Sequence, residues 1–377
     1  MMLRAIRLAM NGRGRAEPNP LVGCVIAKNG RVIGEGFHKQ FGGPHAEPNA
    51  LAACAAAGES PAGATAYVTL EPCCHTNKKT PPCVPQLIEA KLARVVIGCL
   101  DPNPAVDGRG VAQLRSAGIQ VTVPVLEAQA RQLIAPFLAR VRFKRPYVTL
   151  KWAESADGKV AGAGGKPVRI SNEASTRVVH ELRARCDAIM VGINTVLSDD
   201  PLLTARGVES PRLLRRIVLD TRLRIPIQSR LVQTARDHSL IVYTSTAKLN
   251  MEYLNVLFRF GVEAYLAKPD ATGRPSLDDV VHRLELSVTH LLVEPGPQLA
   301  GSFFRDGLVD RLWVFRSPTR IDDPSAPAAS GVPHDFLKTG ELDLDGDRLS
   351  EYLNPASDVF FKDLPSADFC LVSQETV

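Results

Sequence analysis

Pro44-His45-Ala46-Glu47, Leu70-Glu71-Pro72-Cys73 and Thr80-Pro81-Pro82-Cys83 are the stretches on which the reading of this chain turns. One imidazole and two thiols, those of His45, Cys73 and Cys83, can hold a zinc ion with a fourth position left open. Zinc in such a site lowers the pKa of water to about 7 and makes hydroxide available at neutral pH. Glu47, two residues from the imidazole, can move protons. A purely structural zinc takes four protein ligands, and Cys74 or His75 would then supply the fourth. Cys74 is also an alternative to Cys73.

The surrounding pattern gives these residues a frame. Apolar runs of strand length recur at 22–27, 31–36, 66–70, 94–98 and 119–123, with helical stretches at 46–57, 83–92 and 111–117. Asn29-Gly30 predicts a two-residue hairpin turn of the type that needs positive φ. The later strands alternate with helices, which calls for a mixed or parallel sheet with helices on its faces. Gly42-Gly43-Pro44 breaks the chain just before His45, so His45 and Glu47 fall in the first turn of an Ala-rich helix. Cys73 follows a strand, and Cys83 follows Pro81-Pro82 at the start of the next helix. The partial positive charge at such helix starts favours thiolate over thiol.

With 377 residues the chain is long enough for two domains. The basic stretch Arg140-Val141-Arg142-Phe143-Lys144-Arg145 leads into a strand start, which puts the boundary at 1–145 and 146–377. A net charge of +5 with no other basic run argues against a nucleic-acid-binding function. No stretch reaches the roughly 18 apolar residues of a membrane span. The eight cysteines do not resemble a secreted disulfide framework and point to a reducing compartment such as the cytoplasm. The N-terminal residues, with arginines at helical spacing, predict a helix and not a signal peptide.

In the second half, strands are expected at 188–192, 216–219, 240–244 and 290–294, and helices at 173–185 and 298–306. Lys151 stands in an apolar strand, where a lysine is rarely buried without a partner, and Glu294 is its candidate partner. Glu294 ends another apolar strand and opens the turn Pro295-Gly296-Pro297 into a helix, a geometry that can cradle phosphate with backbone N–H groups. No Gly-x-Gly-x-x-Gly follows a strand, which argues against a conventional Rossmann site. Residues 322–331 read as a mobile loop, and 351–377 carry no assignment.

The metal residues are close to H-x-E…P-C-x-x-C, the signature of zinc nucleobase deaminases, with wider cysteine spacing. Together with Glu17-Pro18-Asn19-Pro20-Leu21-Val22-Gly23-Cys24, Gly34-Glu35-Gly36-Phe37-His38 and Asp101-Pro102-Asn103-Pro104, the first half resembles the deaminase half of the bifunctional pyrimidine deaminase/reductase family of riboflavin biosynthesis. The resemblance implies zinc on His45, Cys73 and Cys83, proton transfer by Glu47, and substrate contacts from Asn19, His38, His75, Lys79, Thr80, Asp101 and Asn103. The loop between the cysteines is one residue longer than is usual in the family and lacks its glycine, which bears on the roles of Lys78 and Lys79.

The second half resembles the family's reductase through Lys151-Trp152-Ala153-Glu154-Ser155-Ala156-Asp157-Gly158, the stretch from His180 to Gly192, the stretch from Thr195 to Arg206, and Glu294-Pro295-Gly296-Pro297. This implies an α/β fold throughout: a cytidine-deaminase-like α/β/α domain, then a dihydrofolate-reductase-like α/β domain that uses NADPH. Ala153, Arg169, Thr195, Asp199 and the turn Gly296, Pro297, Gln298, Leu299, Ala300, Gly301 and Ser302 would face the cofactor. Pro167, Arg183, Leu203, Arg206 and Glu294 would face the substrate, with Lys151 catalytic and the two arginines suited to its phosphate. Pro167 and Arg169 stand where many members carry a serine and a tryptophan, and 317–377 diverges from the family.

The function so implied is deamination of 2,5-diamino-6-ribosylamino-4(3H)-pyrimidinone 5′-phosphate followed by reduction of its ribosyl chain to ribityl. The expected partner is this small molecule alone, without nucleic acid or membrane, in a cytoplasmic homo-oligomer. The alternatives are a deaminase whose second domain only binds ligand or assembles subunits, a deaminase of another substrate, and a zinc-stabilised nucleic-acid-binding protein.

Overall fold

A computed structural model describes residues 1–76, 80–246 and 249–357. The chain divides into two compact units at Lys144/Arg145. The first contains α1 (Met2–Met10), β1 (Gly23–Lys28), β2 (Arg31–Phe37), α2 (Ala46–Ala56), β3 (Thr65–Leu70), α3 (Cys83–Glu89), β4 (Arg94–Cys99), α4 (Arg109–Ser116), β5 (Gln120–Thr122), α5 (Glu127–Leu133) and α6 (Ala135–Phe143). Its five strands run in the order β2-β1-β3-β4-β5. β1 is antiparallel to both β2 and β3, while β3, β4 and β5 are parallel. Asn29 and Gly30 turn the β1–β2 hairpin with φ of 52° and 76°, as the Asn-Gly pair predicts.

Small residues decide how the metal helix is seated. A Cβ on Gly34 would lie 2.5 Å from the Ala50 carbonyl oxygen, and one on Gly36 would lie 2.3 Å from the Ala50 nitrogen. Backbone of β2 therefore rests on backbone of α2, with Ala46, Ala50 and Cys54 fully buried at the contact. This close approach fixes the start of α2, where His45 is the N-cap and Glu47 lies in the first turn.

The second unit contains β6 (Tyr147–Glu154), α7 (Glu173–Arg185), β7 (Ala188–Gly192), α8 (Ile193–Asp199), β8 (Arg215–Leu219), α9 (Arg230–Gln233), β9 (Leu240–Thr244), α10 (Met251–Arg259), β10 (Val262–Leu266), α11 (Leu277–Arg283), β11 (His290–Val293), α12 (Pro297–Arg305), β12 (Arg311–Arg316), β13 (Leu337–Leu344) and β14 (Asp347–Leu353). They build one nine-stranded sheet ordered β10-β9-β8-β7-β11-β6-β12-β14-β13. All its pairings are parallel except β12–β14 and β13–β14. The central parallel strands β7, β8, β9 and β11 are largely buried and read as near-continuous apolar runs, one apolar cluster fills each side, and the parallel edge strand β10 is mostly exposed.

Residues 322–331 form a loop, tied at its start by Asp157, which accepts hydrogen bonds from the Ile321 and Asp322 N–H groups at 3.0 Å each. Lys159 Nζ donates to the Ala326 carbonyl at 3.0 Å, and Ala329 N donates to Gly158 O at 2.9 Å. The segment from 337 to 353, within the divergent 317–377 and reaching into the unassigned tail, forms a hairpin that extends the sheet past β12. The rest of the unassigned tail, with Cys370, lies outside the described residues.

Candidate active sites

His45, Cys73 and Cys83 come together, with their ligand atoms all within 4.8 Å of one another. His45 Nδ1 lies 3.5 Å from each sulfur. A tetrahedral zinc with Zn–S of about 2.3 Å and Zn–N of about 2.0–2.1 Å holds sulfur and nitrogen about 3.5 Å apart. Both nitrogen–sulfur distances therefore fit a tetrahedral zinc ion. Among the described residues no fourth ligand joins them: Cys74 Sγ turns to the Ala105 carbonyl at 4.0 Å, and His75 lines the neighbouring cavity. Cys83 N donates to Cys73 Sγ at 3.4 Å, a contact that stabilises thiolate.

With Nδ1 turned to the sulfurs, His45 Nε2 carries the proton and donates to Thr80 Oγ1 at 3.2 Å. Such a partner fixes the tautomer and ring orientation of a ligating histidine. Thr80→Val should weaken zinc binding about 10–100-fold, measured by competition with a chromophoric chelator. Unchanged zinc affinity would remove this role from Thr80.

A cavity of roughly 330 Å³ opens beside the cluster. Asn19, His38, His75, Thr80, Asp101 and Asn103 all line it with His45, Cys73 and Glu47, while Lys79 lies outside the described residues. Glu47 is 3% exposed, and burial pushes its carboxyl pKa up, the nearby Cys73 sulfur adding to the effect. His38 Nδ1 donates to the Pro44 carbonyl at 3.0 Å, which leaves Nε2 to accept from Asn19 Nδ2 at 3.1 Å. Burial raises the Asp101 carboxyl to about 7, with Glu71 adding and the hydrogen bond from Asn103 N opposing.

Phe41, Leu70, Val22 and Phe137 supply apolar wall. Sequence reasoning passed over them; an aromatic beside Gly42-Gly43 was the available signal for Phe41. Phe137 sits on α6, just before the basic stretch that marks the domain boundary.

The second unit gathers charge at the carboxyl end of its central strands, where open α/β sheets bind ligands. Arg183 Nε and Nη2 donate to the two oxygens of Glu294 at 2.8 Å each, and Nη1 reaches the Thr204 carbonyl at 3.3 Å. Burial would raise the Glu294 carboxyl, but Arg183 and Lys151 hold it down at about 2. Burial lowers the Lys151 pKa, against the pull of Glu294, and its ammonium lies 5.3 Å from the Phe315 ring centre. Glu294 thus accepts its hydrogen bonds from Arg183 and meets Lys151 through charge, a different pairing from the one read in the sequence.

The segment between Asp199 and Arg206 wraps this cluster. Leu203 is 2% exposed and sits in the left-handed region with φ of 52°, a conformation that costs a non-glycine residue free energy and concentrates at functional sites. Arg206 N donates to His180 Nδ1 at 3.3 Å. Pro167 and Arg169 lie on an exposed segment, and the Arg169 guanidinium reaches Glu173 at 3.7 Å.

Ala153 lies on β6 opposite Phe315 of β12. Thr195 and Asp199 are on α8, and Gly296 is the N-cap of α12, followed by Pro297, Gln298, Leu299, Ala300, Gly301 and Ser302. The first turn of α12 has no side-chain cap and no acidic residue, and a Cβ on Gly296 or Gly301 would meet nothing within 4 Å. Open space over uncapped N–H groups fits a dinucleotide's phosphates.

Residues 1–99 match the family described as the cytidine and deoxycytidylate deaminase zinc-binding region, and residues 146–329 match the RibD C-terminal domain. Riboflavin biosynthesis protein RibD of Aquifex aeolicus is 41% identical over 318 residues, covering 84% of this chain and 86% of the relative. The Escherichia coli protein of the same name is 40% identical over 332 residues, covering 84% and 86%. A solved structure of a Thermotoga maritima diaminohydroxyphosphoribosylaminopyrimidine deaminase/5-amino-6-(5-phosphoribosylamino)uracil reductase superposes with a TM-score of 0.81 at 36% identity, covering 94% of this chain and 97% of the other. Acinetobacter baumannii RibD gives 0.79 at 35% identity, covering 93% and 97%. The chain belongs to the riboflavin biosynthesis RibD family, as a bifunctional enzyme with a zinc-binding deaminase domain followed by a reductase domain of the NADPH-dependent type.

Proposed function

We propose that the first domain, 1–145, hydrolyses the amine of 2,5-diamino-6-ribosylamino-4(3H)-pyrimidinone 5′-phosphate and that the second, 146–377, reduces the ribosyl chain of the product. The observation that carries the first step is a zinc-sized His45-Cys73-Cys83 triangle opening into a cavity that also holds Glu47. Zinc, when bound there, supplies an activated water at neutral pH. Glu47 takes a proton from that water and returns it to the departing nitrogen, so one buried carboxyl serves as base and then as acid. Asn19, His38, His75, Thr80, Asp101 and Asn103 hold the substrate, with Lys79 assigned to its phosphate by resemblance. The apolar wall of Phe41 and Leu70 suits a flat heterocycle.

In the second domain NADPH, when bound, would supply the hydride for the ribosyl carbonyl, and the carbonyl oxygen would need a proton. Lys151 donates or orients that proton, and Glu294 with Arg183 holds it in register. Because Arg183 is engaged by Glu294 and Thr204, Arg206 is the guanidinium left for the substrate phosphate. Ala153, Thr195, Asp199 and the 296–302 turn hold the cofactor; Pro167 and Arg169 belong to the same site only if their exposed segment closes over it.

Among the described residues no two cysteines are joined in a disulfide, which suits a cytoplasmic enzyme, and no helix is long and apolar enough to cross a membrane. A homo-oligomer is part of the same reading, tested by light scattering of the purified protein. Mass spectrometry of products, with and without NADPH, tests the reactions themselves. The expected result is replacement of the amine by oxygen without NADPH, and a further gain of two hydrogens with it. Loss of the amine alone would leave a deaminase with a non-reducing second domain, and no change in zinc-loaded protein would overturn the substrate assignment.

A further inference from the structure

Glu71 stands two residues before Cys73, 2% exposed, at the floor of the deaminase cavity. Its backbone is fixed by the hydrogen bond from Glu71 N to Cys99 O at 2.9 Å. Its carboxylate then reaches across to a different segment. Glu71 Oε2 accepts from Asp101 N at 3.3 Å and from Gly108 N at 2.9 Å, and Oε1 accepts from Val111 N at 3.1 Å. Two of those donors belong to the start of α4, which has no side-chain cap of its own. A carboxylate there satisfies otherwise orphaned N–H groups and sits at the favourable end of the helix dipole.

The segment so gripped carries substrate-facing residues. Asp101 Oδ1 accepts from Asn103 N at 2.8 Å, and Asn103 Oδ1 accepts from Ala105 N at 3.0 Å, so the turn is built stepwise from the Glu71 anchor. Val106, fully buried, packs beside Cys73 and Cys83. The fit leaves no slack: a Cβ on Gly110 would lie 2.3 Å from Pro72 O and 3.1 Å from Glu71 Oε1.

We infer that Glu71 is a positioning residue of the deaminase, whose carboxylate ties the Asp101–Asn103 turn to the segment bearing Cys73 and so sets where the substrate-contacting side chains stand relative to the metal. The inference rests on the proposed roles of Asp101 and Asn103. It assigns Glu71 to substrate affinity and to neither zinc retention nor proton transfer.

Glu71→Gln in the full chain keeps the size of the side chain but turns one acceptor into a donor facing N–H groups. This variant should raise the KM for ammonia release about 10–100-fold, the range for outer-shell supports, with kcat changed much less. Zinc content and reduction kinetics should stay at wild-type level, and amide exchange should quicken within 101–111 and not elsewhere. An unchanged KM, a fall in kcat alone, or loss of zinc from Glu71→Gln would overturn the inference. A wild-type protein that releases no ammonia from this pyrimidine would overturn the deaminase reading instead, while the exchange pattern of 101–111 would still decide whether Glu71 holds that turn.

Discussion

Glu47→Gln should give a folded, zinc-loaded protein whose ammonia release is slower by about 10²–10⁴-fold, the usual contribution of a positioned general acid/base. The amide fills the same volume, so the packing of a side chain that is 3% exposed in the first turn of α2 is kept. What the amide cannot do is take a proton from water and hand it to the leaving nitrogen. The ligand triangle does not include Glu47, so zinc content should not fall. Reduction of separately supplied deaminated substrate should proceed at the wild-type rate, which serves as an internal control for folding. Full turnover with zinc bound would remove Glu47 from proton transfer.

The reason Glu47 could be read from sequence is local. His45, Glu47, Cys73 and Cys83 sit at chain breaks that proline and glycine announce, and the elements on either side are short and strongly patterned. The cavity wall is different in kind. Asn19, His38 and the Asp101–Asn103 turn come from three separate connections, so no spacing within one element relates them, and only family resemblance brought them together. Glu71 was in plain view inside a quoted motif, yet its role lies in hydrogen bonds to backbone 30 and more residues away, which no side-chain pattern encodes.

In the second half β6, β7, β8, β9 and β11 were legible as apolar runs, the parallel strands β10 and β12 were not read, and β13 alternates exposed and buried positions irregularly at the sheet edge. An edge strand needs only one covered face, and polar residues such as Lys338, Glu341 and Asp343 mask its period. The segment at 322–331 has loop composition, and what orders it is the distant Asp157 carboxylate. In the charged cluster, likewise, composition identified Lys151 and Glu294 as anomalies in apolar strands, but side-chain reach gave Glu294 to Arg183.

That pairing shapes the second large effect. Lys151→Met should slow reduction by about 10²–10⁴-fold while the protein stays folded. Burial already disfavours the Lys151 ammonium, and methionine fills similar space against Phe315 without a charge to desolvate. Glu294 keeps both hydrogen bonds from Arg183 in this variant, so no carboxylate is left unpaired. Glu294→Gln is the contrasting case: it strips the buried Arg183 of its counter-charge and leaves two cations facing each other, and breaking a buried pair in this way costs about 3–5 kcal/mol. Thermal unfolding of the two variants should therefore diverge, with Lys151→Met near wild type and Glu294→Gln clearly lowered, although both lose reduction. Deamination, followed by ammonia release at a temperature where both variants are folded, should be untouched in each. If Lys151→Met kept both the reduction rate and the substrate affinity, the proton at the ribosyl oxygen would have to come from elsewhere in the cluster, and His180, beside Arg206, would be the next residue to replace.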